Sequence, residues 1–191
     1  MTATLNMTRK YSAAEYLSIE IESNEKLEYY NGKLHAMAGG TIPHNRICRN
    51  ILAELHFTLS EKFEAFGSDQ KVFLSKYNFY VYPDAVVVAG TPLQTEKAAN
   101  AIINPVLIIE VLSPSTAKYD KKDKFIQYQS LSSFTEYALI LQEIPEVQTR
   151  FREEPDLWRS IEFSGLDTTL VLKSVGVSID MKRIYKGVQF E

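Results

Sequence analysis

Residues 105–115 constrain the fold of this chain more than any other stretch. Four consecutive apolar residues, Val106 to Ile109, precede Glu110, and two more apolar residues then lead to a proline. A short apolar run rich in β-branched residues and bounded by prolines predicts a strand that is buried on both faces. A lone carboxylate in such surroundings costs roughly several kcal/mol unless a cation or hydrogen bonds meet it. Glu110 is therefore the first sign of a functional site.

A second carboxylate lies upstream in a similar setting. Asp84 opens the apolar run Ala85–Ala89, and four residues separate Asp84 from Val88, as they separate Val106 from Glu110. If the two strands are antiparallel neighbours, both acids fall at the same end of the sheet, about 4.8 Å apart. Two carboxylates at that separation repel each other unless a cation lies between them, and Mg²⁺ is the natural candidate. An aspartate after proline is also common in turns, which leaves a structural role open for Asp84.

The composition is that of one ordinary globular domain. A chain of 191 residues with 45% hydrophobic and 24% charged residues predicts a single domain with a sizeable core. We see no apolar run of the roughly 20 residues that span a membrane and no secretory signal, and the single cysteine fits a reducing cytoplasm. Cys48 itself reads as a small apolar helix residue. The net charge of −3 argues mildly against a dedicated DNA-binding protein, but not against an enzyme with a local basic patch.

Local patterns in the first half of the chain predict helices and a hairpin. Ser12 and Glu15 have the spacing of a capping box, which predicts a short helix, and Asn31-Gly32 predicts a tight hairpin turn. Apolar residues recur every four positions from Pro43 to about Phe63, which predicts a long amphipathic helix with Thr41 as its cap. Two strands are expected at 71–76 and 79–89, followed by a loop at 91–104.

The second half is predicted to alternate a helix with strands. Ser115 or Thr116 can cap a helix that runs to about Leu131 and exposes Lys118, Lys121, Lys122 and Lys124. Residues 136–142 form an apolar strand, and a β meander is expected from residue 146 onward. The whole is predicted to be one α/β domain over residues 1–191, with a mixed central sheet flanked by helices. Its core is expected at about 11–142, with a terminal β extension at 143–191.

These features together resemble the PD-(D/E)xK nuclease superfamily, and more closely its restriction-endonuclease-like branch called the Uma-two family. The resemblance covers most of the chain, from about Tyr11 to Gln142. One departure is that Leu112 stands where the superfamily commonly has its lysine, two residues after the second acid. The segments that carry the resemblance are 82–88, 104–116, 120–128, 28–32 and His44.

The resemblance implies a Mg²⁺-dependent endonuclease that hydrolyses DNA, with Mn²⁺ as a substitute ion and a homodimeric assembly. Asp84 and Glu110 would bind the metal, which would polarise the phosphate and lower the pKa of the attacking water. A helix lysine would assist that water; Lys124 shares a helix face with Tyr128, and Lys121 is the alternative. The supporting residues would be Glu28, as a further metal ligand or as an acid behind the metal ligands, together with His44, Lys121, Tyr128 and Gln142.

Other interpretations of the same residues remain open at this point. Lys124 can pair with Asp120 at helical spacing, and His44 can be a surface residue at a helix start. The chain can also be a nuclease-like fold retained as a DNA-binding or regulatory module, or a hydrolase of small phosphate esters. Cleavage of plasmid DNA that depends on a divalent ion and on both acids separates the first function from the others.

Overall fold

The computed structural model describes residues 9–37, 39–94, 100–113 and 120–190. Within these ranges the chain alternates short strands with few helices. The α-helices are Ala13–Glu22 (α1), Ile42–Thr58 (α2), Phe125–Tyr128 (α3) and Met181–Ile184 (α4). The strands are Leu27–Tyr30 (β1), Lys33–Ala36 (β2), Phe63–Gly67 (β3), Lys71–Leu74 (β4), Phe79–Val81 (β5), Ala85–Ala89 (β6), Ala101–Ile102 (β7), Pro105–Leu112 (β8), Glu136–Leu141 (β9), Glu146–Glu154 (β10), Leu157–Ser164 (β11), Thr169–Leu172 (β12) and Val177–Asp180 (β13).

The central sheet has the strand order β11-β10-β9-β8-β6-β3. The pairing of β8 with β9 is parallel and the other pairings are antiparallel, which confirms the predicted mixed sheet. As expected, β8 lies inside the sheet and is buried over nearly its whole length. One face of the sheet packs against the apolar side of α2, on which Ile47, Ile51 and Leu55 are fully buried.

The opposite face of the central sheet is covered by a second sheet and by α3. The second sheet has the order β2-β1-β5-β4-β7. Val72, Leu74 and Val81 of this sheet share an apolar cluster with Tyr128 of α3. The central sheet is thus covered on both sides, as the uninterrupted apolar run of β8 requires.

Local signals near the N-terminus are confirmed. The Ser12 side chain accepts the N–H of Glu15 while the Glu15 side chain accepts the N–H of Ser12, and this capping box starts α1. Asn31 and Gly32 connect β1 to β2 with positive φ angles of 45° and 102°. Such angles in both turn residues match the right-handed twist of a two-residue hairpin.

Three of the predicted elements were wrong in extent. The strand expected at 79–89 is divided at Pro83, because β5 pairs in the second sheet whereas β6 pairs in the central sheet. The long helix ends at Thr58 rather than near Phe63, because Leu59 is extended, and residues 63–67 become the edge strand β3. The loop expected at 91–104 contains the short strand β7. Ser115, Thr116 and Lys118 lie outside the described residues.

The C-terminal strands form the predicted meander and extend the central sheet. Strand β10 pairs with β9 on one side and β11 on the other. The hairpin β12–β13 and α4 contribute Leu170, Ile179 and Met181 to the same apolar cluster as α2.

Across the described ranges, we find no helix with the length and hydropathy needed to cross a membrane.

Candidate active site

The two acids lie at the same end of the central sheet. Ala85 pairs with Ile109, so continuing the antiparallel register by one step sets Asp84 opposite Glu110. Asp84 Oδ2 accepts a hydrogen bond of 2.7 Å from the N–H of Val111, which fixes this carboxylate to the neighbouring strand. At the other end of the pair the register slips, and Val88 pairs with Pro105 rather than with Val106. A β-bulge absorbs this slip away from the acids.

Glu110 is held by a lysine and a tyrosine. Its side chain is 5% exposed, and Oε1 accepts hydrogen bonds from Lys124 Nζ at 3.0 Å and from the Tyr128 hydroxyl at 2.8 Å. Burial raises the pKa of Glu110 to about 8, against the opposing effect of the Lys124 charge. Burial therefore disfavours the ionised form of this carboxyl group, and neighbouring positive charge favours it.

A π-helical turn over Asp120–Lys124, continuous with α3, brings Lys124 to Glu110. Lys124 is only 8% exposed, so its predicted position on an exposed helix face was wrong. The wider turn points Lys124 inward, where Tyr128 joins it on Glu110, while Lys122 stays exposed and Lys121 half-buried. Single π turns of this kind are frequent at functional sites.

Lys124 keeps its charge in spite of its burial. Burial by itself lowers the pKa of an ammonium group, but the carboxylates of Glu110, Glu28 and Asp120 outweigh it. The pKa of Lys124 consequently lies well above its usual value. The amine is a permanent hydrogen-bond donor and positive charge beside Glu110, and not a base that accepts a proton.

Asp120, which the sequence predicts only as a pairing partner of Lys124, is a buried acid. Its Oδ1 lies 3.2 Å from Lys124 Nζ, but the geometry is that of an ion pair, and within the described ranges this buried oxygen accepts no hydrogen bond. A buried acceptor without a donor is costly unless a cation compensates it. The four-residue spacing of Asp120 and Lys124 predicts their ion pair, whereas the burial of Asp120 depends on the π turn.

Glu28 lies near this cluster but has its own partners. Its Oε2 accepts the Tyr30 hydroxyl at 2.7 Å and its Oε1 accepts the N–H of Tyr82 at 3.1 Å. With Tyr30, Glu28 lines a pocket of about 480 Å³ beside the aromatic rings of His35 and Phe79. The charge of Glu28 reaches Lys124, as the raised pKa of that lysine shows.

His44 approaches Asp84 from the first turn of α2. The Thr41 side chain accepts the N–H of His44 and starts the helix, so the ring projects over the end of the sheet. His44 Nε2 lies 3.4 Å from Asp84 Oδ2, and this contact raises the pKa of His44 although burial opposes it. His44 Nδ1 lies 3.4 Å from the sulfur of Cys48.

Cys48 was interpreted as a small apolar helix residue, and the structure adds a contact that the sequence analysis missed. Burial raises the pKa of its thiol. One ligand atom each of His44, Cys48 and Asp84 lie within 4.8 Å of one another. The expected metal ligands were Asp84, Glu110 and Glu28. Among the described residues, it is instead the group of His44, Cys48 and Asp84 whose ligand atoms lie this close together. The signal that would have found it is the four-residue spacing of histidine and cysteine on one helix face.

Gln142 and Lys121 line a common cleft. Gln142 Oε1 accepts the Thr41 hydroxyl at 2.9 Å, which ties the end of β9 to the start of α2. Gln142 and Lys121 line a cleft of about 210 Å³ together with Leu112 and Ser113. The structure thus places Asp84, Glu110, Lys124 and Tyr128 in one cluster and Glu28, His44, Lys121 and Gln142 around it.

Comparison with known proteins assigns the chain to a family. A family model described as "Uma2: Putative restriction endonuclease" matches residues 13–182. The chain belongs to the Uma2 family, which confirms the family resemblance, and the match continues through the terminal strands beyond Gln142.

Two relatives of this chain come from the cyanobacterium Synechocystis sp. (strain ATCC 27184 / PCC 6803 / Kazusa). The uncharacterized protein sll1609 is 35% identical over 159 residues, which cover 83% of this chain and 90% of the relative. The uncharacterized protein slr1290 is 31% identical over 182 residues, which cover 95% and 94%.

A solved structure shares the fold. It is described as "a putative nuclease belonging to DUF820 from Anabaena variabilis ATCC 29413". Its TM-score to this chain is 0.74 at 17% sequence identity, and the alignment covers 94% of this chain and 99% of the other. The likeness confirms the predicted α/β nuclease-like fold.

Proposed function

We propose that this protein is a divalent-metal-dependent endonuclease that hydrolyses phosphodiester bonds of DNA. The observation that carries the proposal is the meeting of Asp84 and Glu110 at one end of the sheet, with Lys124 beside Glu110. Membership of the family described as "Putative restriction endonuclease" supports the reaction class and the substrate.

The donor set fits a hard cation. Glu110 and Asp120 offer carboxylate oxygens beside Lys124, and Asp84 lies opposite Glu110 at the end of the neighbouring strand. The buried Asp120 Oδ1 accepts no hydrogen bond from the described residues. Oxygen-rich sites of this kind suit Mg²⁺, and Mn²⁺ accepts the same ligands. We assign Asp84 and Glu110 as the principal ligands, with Glu28 as a further acid beside them. When bound, the cation would neutralise phosphate charge and activate water.

The remaining side chains have distinct roles in this proposal. Lys124 stays protonated, so it would donate hydrogen bonds to the attacking water or to the charge that develops on the phosphate. Tyr128 orients Glu110 through its hydroxyl group. His44, from the start of α2, and Gln142, from the end of β9, would position the phosphate and the water.

The scissile strand would approach the π turn, in which Lys122 is exposed and Lys121 half-buried. Their positive charge offsets locally the net charge of −3 and attracts the phosphate backbone. Cleavage of both strands of a duplex favours a twofold arrangement of two sites, and we propose a homodimer on that ground.

Nicking of supercoiled plasmid DNA tests the function. We expect Mg²⁺ or Mn²⁺ to support nicking by the wild type and EDTA to abolish it. Asp84→Asn and Glu110→Gln should each lower the rate by at least about 10²–10³-fold, because each removes charge from the cation site. The matched control is Asp69→Asn, because Asp69 is an exposed acid whose side chain is 97% accessible.

Two outcomes would contradict the proposal. Nicking that survives both substitutions would come from another protein in the preparation. Retention of DNA without cleavage, sensitive to salt and independent of metal, would make the protein a DNA-binding module instead.

A further inference from the structure

His44 and Cys48 carry side chains of the types that bind metals, and the proposed nuclease reaction does not use them as a pair. They lie four residues apart, which places both side chains on the same face of α2. Asp84 completes a triangle with them from the sheet, and one ligand atom of each residue lies within 4.8 Å of the others. His44 Nε2 lies 3.4 Å from Asp84 Oδ2, whereas the other ring nitrogen, Nδ1, lies 3.4 Å from Cys48 Sγ, so that one ion would bind one of these two nitrogens.

The chemistry of this triangle differs from that of the acidic cluster. Imidazole, thiolate and carboxylate are the three ligand types that Zn²⁺ takes in proteins, whereas Mg²⁺ prefers oxygen alone. Two ligands one helical turn apart and a third from another element are a frequent zinc arrangement, with the fourth position left to water. The triangle therefore selects a softer cation than Asp84 and Glu110 do.

The triangle is held in place and open to solvent. The N–H of Val111 fixes Asp84 through Oδ2, and the Thr41 cap fixes the first turn of α2 under His44. The side chains of His44 and Asp84 are 18% and 15% exposed, so that an ion can enter without unfolding of the site. Fixed ligands bind a metal without the cost of ordering them.

We propose that His44, Cys48 and Asp84 bind Zn²⁺, and that Zn²⁺ bound there withdraws Asp84 from the Mg²⁺ site. On binding, the S–H bond of Cys48 breaks, a bond from sulfur to zinc forms, and the proton leaves to solvent without any change of oxidation state. The binding of zinc is independent of the nuclease reaction. Inhibition by zinc rests on the proposed function.

Co²⁺ is the probe for the binding step, because it replaces Zn²⁺ and absorbs light. Titration of the full chain should give a near-ultraviolet thiolate-to-cobalt band that saturates at one equivalent and is lost on addition of Zn²⁺. The chain contains one cysteine, so that any such band reports Cys48. His44→Ala and Asp84→Asn should weaken Co²⁺ binding by about 10–100-fold or more. His56→Ala, an exposed histidine of the same helix, is the matched control and should bind as the wild type does.

The wild-type titration decides the proposal even if a variant fails to fold. Saturation of the protein with Co²⁺ without a thiolate band would overturn the site. A thiolate band that is equally strong and equally tight in His44→Ala and Asp84→Asn would also overturn it, since Cys48 would then bind the ion without these partners.

The inhibition step has a separate readout. Zn²⁺ added at a fixed Mg²⁺ concentration should inhibit plasmid nicking, and Cys48→Ala should raise the Zn²⁺ concentration for half-inhibition by about tenfold or more relative to wild type. Equal inhibition of both proteins would overturn the switch. If no DNA is cleaved under any condition, the proposed function fails, while the cobalt band still establishes the zinc site.

Discussion

Two buried clusters in this molecule contain the same kinds of side chain. In one, Glu110 is bonded by Lys124 and Tyr128. In the other, Glu20 of α1 pairs with Lys71 of β4 and accepts the hydroxyl groups of Tyr16 and Tyr82. The side chains of the two lysines are equally buried, at 10% exposure.

The balance of charge distinguishes them. The one carboxylate of Glu20 meets the one ammonium of Lys71, and both of its oxygens have donors. Around Lys124, Glu110 is joined by Asp120 in direct contact and by Asp84 and Glu28 at longer range. A balanced buried pair is a structural element, whereas an excess of buried negative charge calls for an added cation. The two clusters therefore share their residue types and differ in their balance of charge.

Replacement of each lysine gives the largest contrast between the clusters. Lys124→Met should lower plasmid nicking by about 10²–10³-fold, because a charged donor beside the reacting phosphate is lost. Lys71→Met should leave nicking per folded molecule within a few-fold, but should lower the free energy of unfolding by about 3–5 kcal/mol, because Glu20 loses its partner. Nicking rates and urea unfolding of both variants measure this. Equal losses of nicking activity in Lys124→Met and Lys71→Met would contradict a functional difference between the two clusters.

The pH dependence of cation binding tests the charge of Glu110. Since its pKa is raised to about 8, the proton must leave before the carboxylate binds an ion, and apparent Mg²⁺ affinity should fall by about tenfold per pH unit below that value. Thermal shifts with and without Mg²⁺ should therefore be larger at about pH 9 than at about pH 7. Glu20→Gln should keep this response, and Glu110→Gln should lose it.

The same pKa has a consequence for the metal-free protein. A carboxyl group whose pKa is raised in the folded state binds more protons there than in the unfolded chain. The contribution of Glu110 therefore favours folding at low pH and is lost as the pH rises from the ordinary glutamate pKa of 4.5 toward about 8. Glu110→Gln should flatten this slope in urea unfolding, and an unchanged slope would contradict the assignment.

Asp120→Asn should make the charge balance of the Glu110 cluster more like that of the Glu20 cluster. Removal of one negative charge leaves Glu110 and Lys124 as a one-to-one pair, so the metal-free protein should lose little stability, or gain about 1 kcal/mol. Mg²⁺ affinity should fall by about tenfold, because the cation meets less negative charge. Calorimetric titration with Mg²⁺ measures the change, with the exposed acid Asp123 as the control in Asp123→Asn. Unchanged affinity would exclude Asp120 from the site.

The smallest expected difference concerns the tyrosines. Tyr128→Phe and Tyr16→Phe each remove one hydrogen bond to a buried glutamate, worth about 1–2 kcal/mol of unfolding free energy. Only Tyr128→Phe should also lower nicking, by about tenfold or less, because Glu110 is then less firmly oriented. A larger effect of Tyr16→Phe on nicking would indicate that the two clusters act together.

Much of this arrangement followed from the sequence. The apolar run around Glu110 and the equal spacing of Asp84 and Glu110 in their strands predicted two acids at one sheet end, because strand periodicity and antiparallel pairing are local rules. Capping at Ser12 and Thr41 and the turn at Asn31 followed from side-chain chemistry within a few residues. Such signals depend on residues close in sequence, so the tertiary structure does not alter the local conformations that they predict.

Only the tertiary structure decided which lysine meets Glu110 and which acids remain uncompensated. The π turn buries Lys124 and Asp120 against β9, where the Tyr137 hydroxyl donates to the Asp120 carbonyl, and no local preference of these charged residues predicts that contact. The division of residues 79–89 between two sheets and the approach of Cys48 to His44 and Asp84 likewise join distant parts of the chain. Sequence determined the chemical types and their strand positions, while burial and charge balance arose from packing, since both depend on residues far apart in the chain.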